Sequence, residues 1–583
     1  MALGPFHLIP RNVEARLEAR TLITTSSLDV FFEQHLERVT GRPSQVWYTV
    51  RAVLSGMYMS VRLAMPNVKA MTQLLWQIRD SDWLHWAGMA RVLKEADSLD
   101  YGGFCVEVDR FRYLYDEMHN LIDACPHPRG VREVQGVRFE RERAMTAEQR
   151  AEQARKDDLL HEAANMFLAA SLDGLRPADH NGSIAVDEMY VRSRMKAGRR
   201  GSGMGPDNWG SADPDTAYLP DKDNPKDYHW EHRVETAVLG QDPYKRLMPA
   251  YVVGLGSRRA TGQDPGEAAL LAVKAAIRNG WGPSAHGRAR CYVDRGIGMM
   301  DAFVSRILQH GYRPCMANDQ LEPVDRIIPK MVIEEVTSFG VTRTRQVPIG
   351  PELIRGLWIC AGGRFLAAHR NLIAPDMYDE NVTDEDLAAH QDIVDLLNTH
   401  TMRQNRRPIV NDSSPDPSKW TVTFELECPG YAARCNLLPF TMDRDPAKFP
   451  TILQPPPAES APLSCRQRIT RVTIPATFVK HTDVVARASF EHDDAYGSNR
   501  NANERPHAYY RRPTMGALRP QEIEVIGRAR NFMLIAMAFA GTNLDLTATA
   551  RRTWGTDCHP LGPRHRGRAH RNIRIARARA KRP

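Results

Sequence analysis

Between Ser183 and Asn318 the chain changes texture in an order that few folds accommodate. SIAVDEMYVR, HRVETAVLG and PAYVVGLGS are β-rich, and the first alternates apolar with polar residues, placing Asp187 near the middle of a strand. EAALLAVKAAIRNG then reads as a helix. Asp264-Pro-Gly-Glu267 opens it as an N-cap with proline at the first helical position, and it ends at Gly280. RARCYVDRG follows as a strand with Asp294 at its end, then a helix over DAFVSRILQHG and a short strand, RPCMAN. Three strands, a helix, a strand, a helix and a strand predict an α/β unit with one acid on its first strand and another ending its fourth.

The flanks differ. Residues 1–180 read as helical. LDVFFEQHLERVTG follows Ser26 and Ser27 and is stopped by Gly41-Arg42-Pro43. SQVWYTVRAVLSGMYMSVRLAM is apolar enough for a core helix, and NVKAMTQLLWQIR follows Pro66. Thr146-Ala-Glu-Gln149 is a capping box for a charged helix through Leu175. Helices of this length suit a DNA-binding module of helix-turn-helix kind, and they suit a packing domain without a ligand equally well. Residues 198–227 are loop. Residues 321–485 form a β-rich segment (KMVIEEVT, LWICAGG, WTVTFELEC) with one helix capped by Thr383 and a proline-rich loop, QPPPAESAP. At 583 residues several domains are expected. The divisions are 1–180 (helical, candidate DNA-binding), 181–320 (first part of the α/β core), 321–485 (insertion), 486–550 (second part of the core) and 551–583 (a basic disordered tail).

A third acid comes from YGSNRNANERPHAYYRR, where Arg500, Glu504 and Arg511 recur at helical steps. The plain reading is a solvated helix face; the functional one is a site handling metal and phosphate together. The element order is that of a ribonuclease H-like fold, whose final helix carries a third carboxylate. Glu504 supplies it if 321–485 is an insertion. Asp187, Asp294 and Glu504 would then hold two Mg²⁺ (or Mn²⁺) ions, Asp187 bridging both, while Arg500 and Arg511 clamp phosphate.

Lys and Arg number 78 against 70 Asp and Glu, a net charge of +8, with arginines crowded after Arg551. Such a run suits nucleic acid through counterion release; a frameshifted end without function is the other reading. The start, MALGPFHLIP, lacks a basic region followed by an apolar stretch, and no apolar run reaches membrane-spanning length. With nine cysteines these features lead to an expected reducing cytoplasm, nucleoid-associated, with no membrane partner. Cys360, Cys428, Cys435 and Cys465 are a candidate structural zinc set without close C-x-x-C knuckles; buried unpaired thiols are the alternative. His229 and His232 are candidates for DNA contact and Trp230 for stacking on a flipped base, against core or surface roles for each.

RARCYVDRGIGMMDAFVSRILQHGYRP, CPGYAARCNLLP followed by Cys465-Arg-Gln, RNANER and GRARNFMLIAMAFAGTN together resemble bacterial DDE transposases of insertion sequences, of an actinobacterial type, across roughly residues 180–550. Tyr496, Arg500, Glu504 and Arg511 are similar to that family's tyrosine, arginine, glutamate and lysine signature. Tyr496 stands one residue further from the arginine than usual, and arginine replaces lysine at 511. Arg505-Pro506-His507 stands where the family has a glycine, an apolar residue and an asparagine; a helix tolerates Pro506 if Asn503 is the N-cap and Glu504 the first helical residue. The resemblance implies an endonuclease and strand-transfer enzyme, binding transposon ends and target DNA as a homodimer or higher assembly. The alternatives are a catalytically decayed DNA-binding derivative, or a ribonuclease H-like nuclease without strand transfer.

Overall fold

The computed structural model describes residues 10–581 apart from 41–46, 96–99, 179, 194–201, 221–223, 225, 243–247, 260–264, 285–288, 299, 317–331, 339–340, 348–349, 370, 453–454, 458–460, 488, 511–522 and 555–562. Asp264, the Gly41-Arg42-Pro43 stop and Arg511 lie outside the described residues. The fold is mixed α/β, about half helical, with several sheets.

Helices fill the first 170 residues. Helix α1 (Val50–Arg62) is capped by Thr49, whose side chain accepts the Ala52 N–H. Eleven of its 13 residues are buried, as an all-round apolar sequence requires. It is the core helix its apolar sequence predicts. Helix α2 (Ala147–Ala170) begins with the expected Thr146–Gln149 capping box and ends at Ala170 rather than Leu175.

The central sheet contains β1 (Ile184–Arg192), β2 (Ala217–Pro220), β3 (Tyr228–Leu239), β4 (Val252–Ser257), β5 (Arg290–Val293) and β6 (Arg313–Cys315). β3 pairs antiparallel with β1 on one edge, and with β2 and β4 end to end on the other. β5 lies parallel to β1, and β6 parallel to β5. Helices α3 (Pro265–Ala276) and α4 (Asp301–Gln309) cover the face formed by Ile184, Val186, Ala237 and Leu239. Close approach of α3 explains Gly254 and Gly256 on β4, because a Cβ at either would collide with the backbone carbonyls of Ala272 and Ala268.

The β-rich segment contains helix α5 (Asp384–His400), opened by the expected Thr383 cap, and strands β7 (Thr421–Glu427) and β8 (Ile469–Pro475), paired along their whole length. Val422, Phe424, Val472 and Ile474 belong to the same apolar core as α4. Three helices close the chain: α6 (Phe490–Tyr510), α7 (Arg528–Trp554) and α8 (Pro563–Ala580). α7 packs with the N-terminal helices against the second sheet face, where Met189, Val191, Val234 and Val238 meet Phe532 and its neighbours. Among the described residues only α7 is long and apolar enough to cross a membrane, and 72% of its apolar window is buried within the protein.

The basic tail is a correction: residues 563–580 are helical, not disordered. Ile575 and Ala578 are buried with Leu387 and Phe490. Arg571 bonds Asp494 at 3.2 Å, Arg574 bonds Asp384 at 2.5 Å, and Arg579 meets Asp392 and Asp395 at 2.6 and 2.7 Å. Acids on α5 and α6 supply counter-charge that the tail's own composition does not reveal.

A buried ionic junction joins the layers. Asp213 Oδ2 accepts N–H bonds from His232 Nε2 at 2.9 Å and Gly527 at 3.1 Å, and Asp215 Oδ2 accepts the Arg528 N–H at 2.9 Å. These amides are the unpaired donors at the N-terminus of α7. Arg129 and Arg259 also face Asp215, at 3.4 and 3.3 Å, and Asp157 on α2 pairs with Arg528 and Arg258. Burial would raise the Asp215 pKa, but Arg129, Arg259 and Arg528 outweigh it and hold the carboxyl well below its usual range. Gly527 has φ 100°, and a side chain there would strike the Arg129 guanidinium. Asp215→Asn should destabilise the protein by about 3 kcal/mol, the low end for breaking a buried pair because each arginine keeps a second acid. The denaturation midpoint measures this, and an unchanged midpoint would contradict the junction's role.

Candidate active site

The register of β1 and β5 places the first two acids side by side. Val186 pairs with Val293, so Asp187 and Asp294 occupy the next level on adjacent parallel strands. Side chains alternate between sheet faces, and Ala185 and Tyr292 share a cluster with Ala495 and Tyr496 of α6. By that parity Asp187 and Asp294 point to the face that α6 covers. Each carboxylate accepts a local N–H: Glu188 at 2.8 Å for Asp187, and Ile297 at 3.1 Å for Asp294. Asp187 is half-buried; Asp294 is exposed.

Helix α6 is locked to the sheet at two points. Thr236, the cross-strand partner of Asp187, bonds His507 Nε2 at 2.9 Å. Asn499 is buried and grips the Gln241 backbone with both ends of its amide, at 2.6 and 2.8 Å. Glu504, exposed, lies three residues before His507 on the same helix, and Arg500, also exposed, lies one turn earlier. Tyr496 is half-buried, packs against the sheet and stacks on His492, with ring centroids 6.4 Å apart.

Pro506 does not sit where its local rule places it. α6 begins at Phe490, so Asn503 is not the N-cap and Pro506 falls inside the helix. Proline has no N–H, so the Ala502 carbonyl loses its intrahelical partner, at a cost of about 3 kcal/mol. The flanking contacts of Asn499 and His507, with burial of Ala502, hold the helix on both sides of the defect.

Among the described residues, one group of three side chains has metal-ligand atoms all within 4.8 Å of one another, and it is not the carboxylate set. It is Cys315, Asp483 and His492, where Cys315 Sγ lies 3.6 Å from His492 Nε2. Geometry alone admits a metal there. Charge argues against one, because Arg290 and Arg487 already face Asp483 at 3.6 and 4.0 Å and His492 at 3.5 Å. Burial opposes ionisation of Asp483, yet Arg290, His492 and Arg487 hold its pKa well below normal. The group is best read as an ion cluster tying β5 and β6 to α6.

Cys360, Cys428, Cys435 and Cys465, far apart in sequence, line one small cavity in the β-rich segment, all as free thiols. Burial pushes Cys360 up to about 12 and Cys465 up to about 11, with neighbouring thiols adding repulsion. Trp230 is 2% exposed and packs on Tyr218 at 4.8 Å, and His232 is consumed by Asp213, so both are core residues. His229 is half-buried. Thr236, Asn499, His507 and Asp483 went unread in the sequence. Their partners lie as far as 271 positions away, and no spacing signals such pairs.

Compared with known proteins, the chain matches no family model, no curated protein and no solved structure.

On the opposite sheet face Glu235 is fully buried and bonded to Arg233 at 2.7 Å. Burial pushes its pKa up to about 8, against the pull of Arg233. A carboxyl raised in the folded state favours folding below its unfolded pKa and loses that contribution as pH rises through the folded value. The unfolding temperature should therefore fall between about pH 5 and about pH 9 by a component that Glu235→Gln removes. Parallel pH profiles for the two proteins would contradict this.

Proposed function

We propose that the chain is a DNA transposase of the DDE type, with a ribonuclease H-like core interrupted by a β-rich insertion. The observation that carries the reading is the placement of Asp187 and Asp294 at one level of adjacent parallel strands, beneath the helix that bears Glu504. The strand order supports it. Leaving aside short β2, the sheet runs β4-β3-β1-β5-β6, with the first three antiparallel and the last two parallel to β1.

Three carboxylates from separate elements, two of them exposed, are a hard oxygen donor set that fits Mg²⁺ or Mn²⁺. The reading takes two such ions, about 3.5–4 Å apart, as the pair that would hold the attacking and leaving oxygens. When bound, such ions supply activation of water or a 3′-OH and neutralise charge on the phosphodiester. In this reading Asp187 holds both ions, Asp294 one and Glu504 the other. Arg500, on the solvent side of the same helix, receives phosphate. His507 and Asn499 are positioning residues: they fix the azimuth of α6, and with it the side on which Glu504 stands. DNA, as transposon ends and target, is the proposed partner, bound by a dimer or higher assembly.

A second reading, a decayed DNA-binding derivative, draws on Pro506 inside the helix that carries the third acid. Cleavage separates the two. With Mg²⁺ and duplex DNA taken from the flanks of its own gene, the protein should nick and join strands. Asp187→Asn and Glu504→Ala should each reduce nicking at least about a hundredfold while gel-shift affinity persists. Nicking untouched by both substitutions would sink the assignment. Binding without nicking by the unaltered chain would favour the decayed form, and nicking without joining a simple nuclease.

A further inference from the structure

We propose that Cys360, Cys428, Cys435 and Cys465 form a tetrathiolate site for one structural zinc ion. The inference is independent of the transposase reading, since it concerns the β-rich segment and none of the three carboxylates.

Convergence is the first argument. Cys360 follows the strand Leu357–Ile359, Cys428 follows β7, Cys435 lies in the turn after it, and Cys465 sits in the four-residue helix Leu463–Arg466. Four segments spread over a hundred positions bring their only cysteines to one cavity. Packing needs no such coincidence of residue type, because alanine, serine or valine would fill the same wall.

The backbone is the second. After three of the cysteines the backbone turns back in the same way: the Gly363 and Leu438 N–H groups bond the carbonyls of Cys360 and Cys435 at 2.9 Å, and the Tyr431 N–H bonds that of Cys428 at 3.2 Å. Burial raises all four thiols, and a turn of this kind carries the amide two residues after the cysteine toward its sulfur, offsetting part of that rise. A Cβ at Gly430 would press on a Leu438 methyl and lie 3.5 Å from Cys428 Sγ, so the backbone passes close to that sulfur.

Surroundings are the third. Leu437, Ile452, Pro455 and Pro456 complete the wall, so the four thiols face one another within an apolar surround. Among the described residues between β7 and β8 there are only single turns and that short helix, so a cross-link at the centre would substitute for regular structure. Zinc suits this donor set because it takes four sulfurs tetrahedrally at about 2.3 Å, whereas Mg²⁺ and Ca²⁺ demand oxygen. Binding at that distance draws the sulfurs closer than they stand and releases their protons. The Cys315, Asp483 and His492 group is tighter but already carries two guanidinium groups against one carboxylate, and so does not compete.

The full chain, purified under reducing conditions, should contain about one zinc per molecule by mass spectrometry of the digested metal. After zinc release by a mercurial, added Co²⁺ should give thiolate-to-cobalt charge-transfer bands and the intense ligand-field bands of a tetrahedral site. Cys428→Ser with Cys435→Ser should lower bound metal at least about tenfold, and Cys315→Ser should leave it unchanged. If the double variant fails to fold, the cobalt spectrum of the unaltered chain decides alone. Absence of thiolate bands, iron in place of zinc, a disulfide among the four, or zinc retained by a folded double variant would each overturn the proposal.

Discussion

The buried carboxylates of Asp213 and Asp215 at the head of α7 are the contact on which the rest of the architecture turns. They take the first free amides of the longest helix and anchor arginines from two other segments. A buried ion pair is weak as a source of net stability, because desolvation offsets most of the attraction. Its value here lies in specification. Each acid has partners on the sheet side and on the helical side, so α7 can enter the core at only one height and one rotation. With α7 set, the N-terminal helices have a surface to pack on, and α6 has a floor.

That floor is what turns a sheet register into a candidate site. Parallel pairing of β1 with β5 puts two acids at one level, and strand alternation turns both toward the same side. Asp294 stands one residue past the end of β5, so its level is set by the strand it leaves. The third acid stands on a helix pinned to the sheet on each side of it, by Asn499 to the end of β3 and by His507 to Thr236. A site built this way is held by regular backbone rather than by flexible connections, which is the arrangement that positions reacting groups most tightly.

Much of the α/β unit was legible because its signals are local. Alternation around Asp187, the end of the β5 strand at Asp294 and the caps at Thr146 and Thr383 are each readable within ten residues. The helix Tyr101–Ile122 escaped notice because it opens on Gly102 and Gly103, poor helix formers whose cost tertiary packing absorbs. Pro506 is a related case: the local rule tolerates it if the helix starts at Glu504, whereas the helix starts at Phe490 and distant contacts hold it through the proline. The Asp483 cluster and the Asn499 clamp were out of reach, since they join residues hundreds of positions apart. Composition marked the charge of the C-terminal segment correctly and its structure wrongly, because the balancing acids stand on α5 and α6.

The seat of α8 has a consequence for how the molecule is made. Its Arg571 lies over the Phe490 ring at 4.3 Å and bonds Asp494, both in the first turns of α6, while Arg574 and Arg579 hold α5. During synthesis, residues 563–580 must therefore clear the ribosome before the helix carrying Glu504 gains its last anchors. Until then the nascent chain presents the acids of α5 and of the first turns of α6 as an uncompensated, half-covered surface.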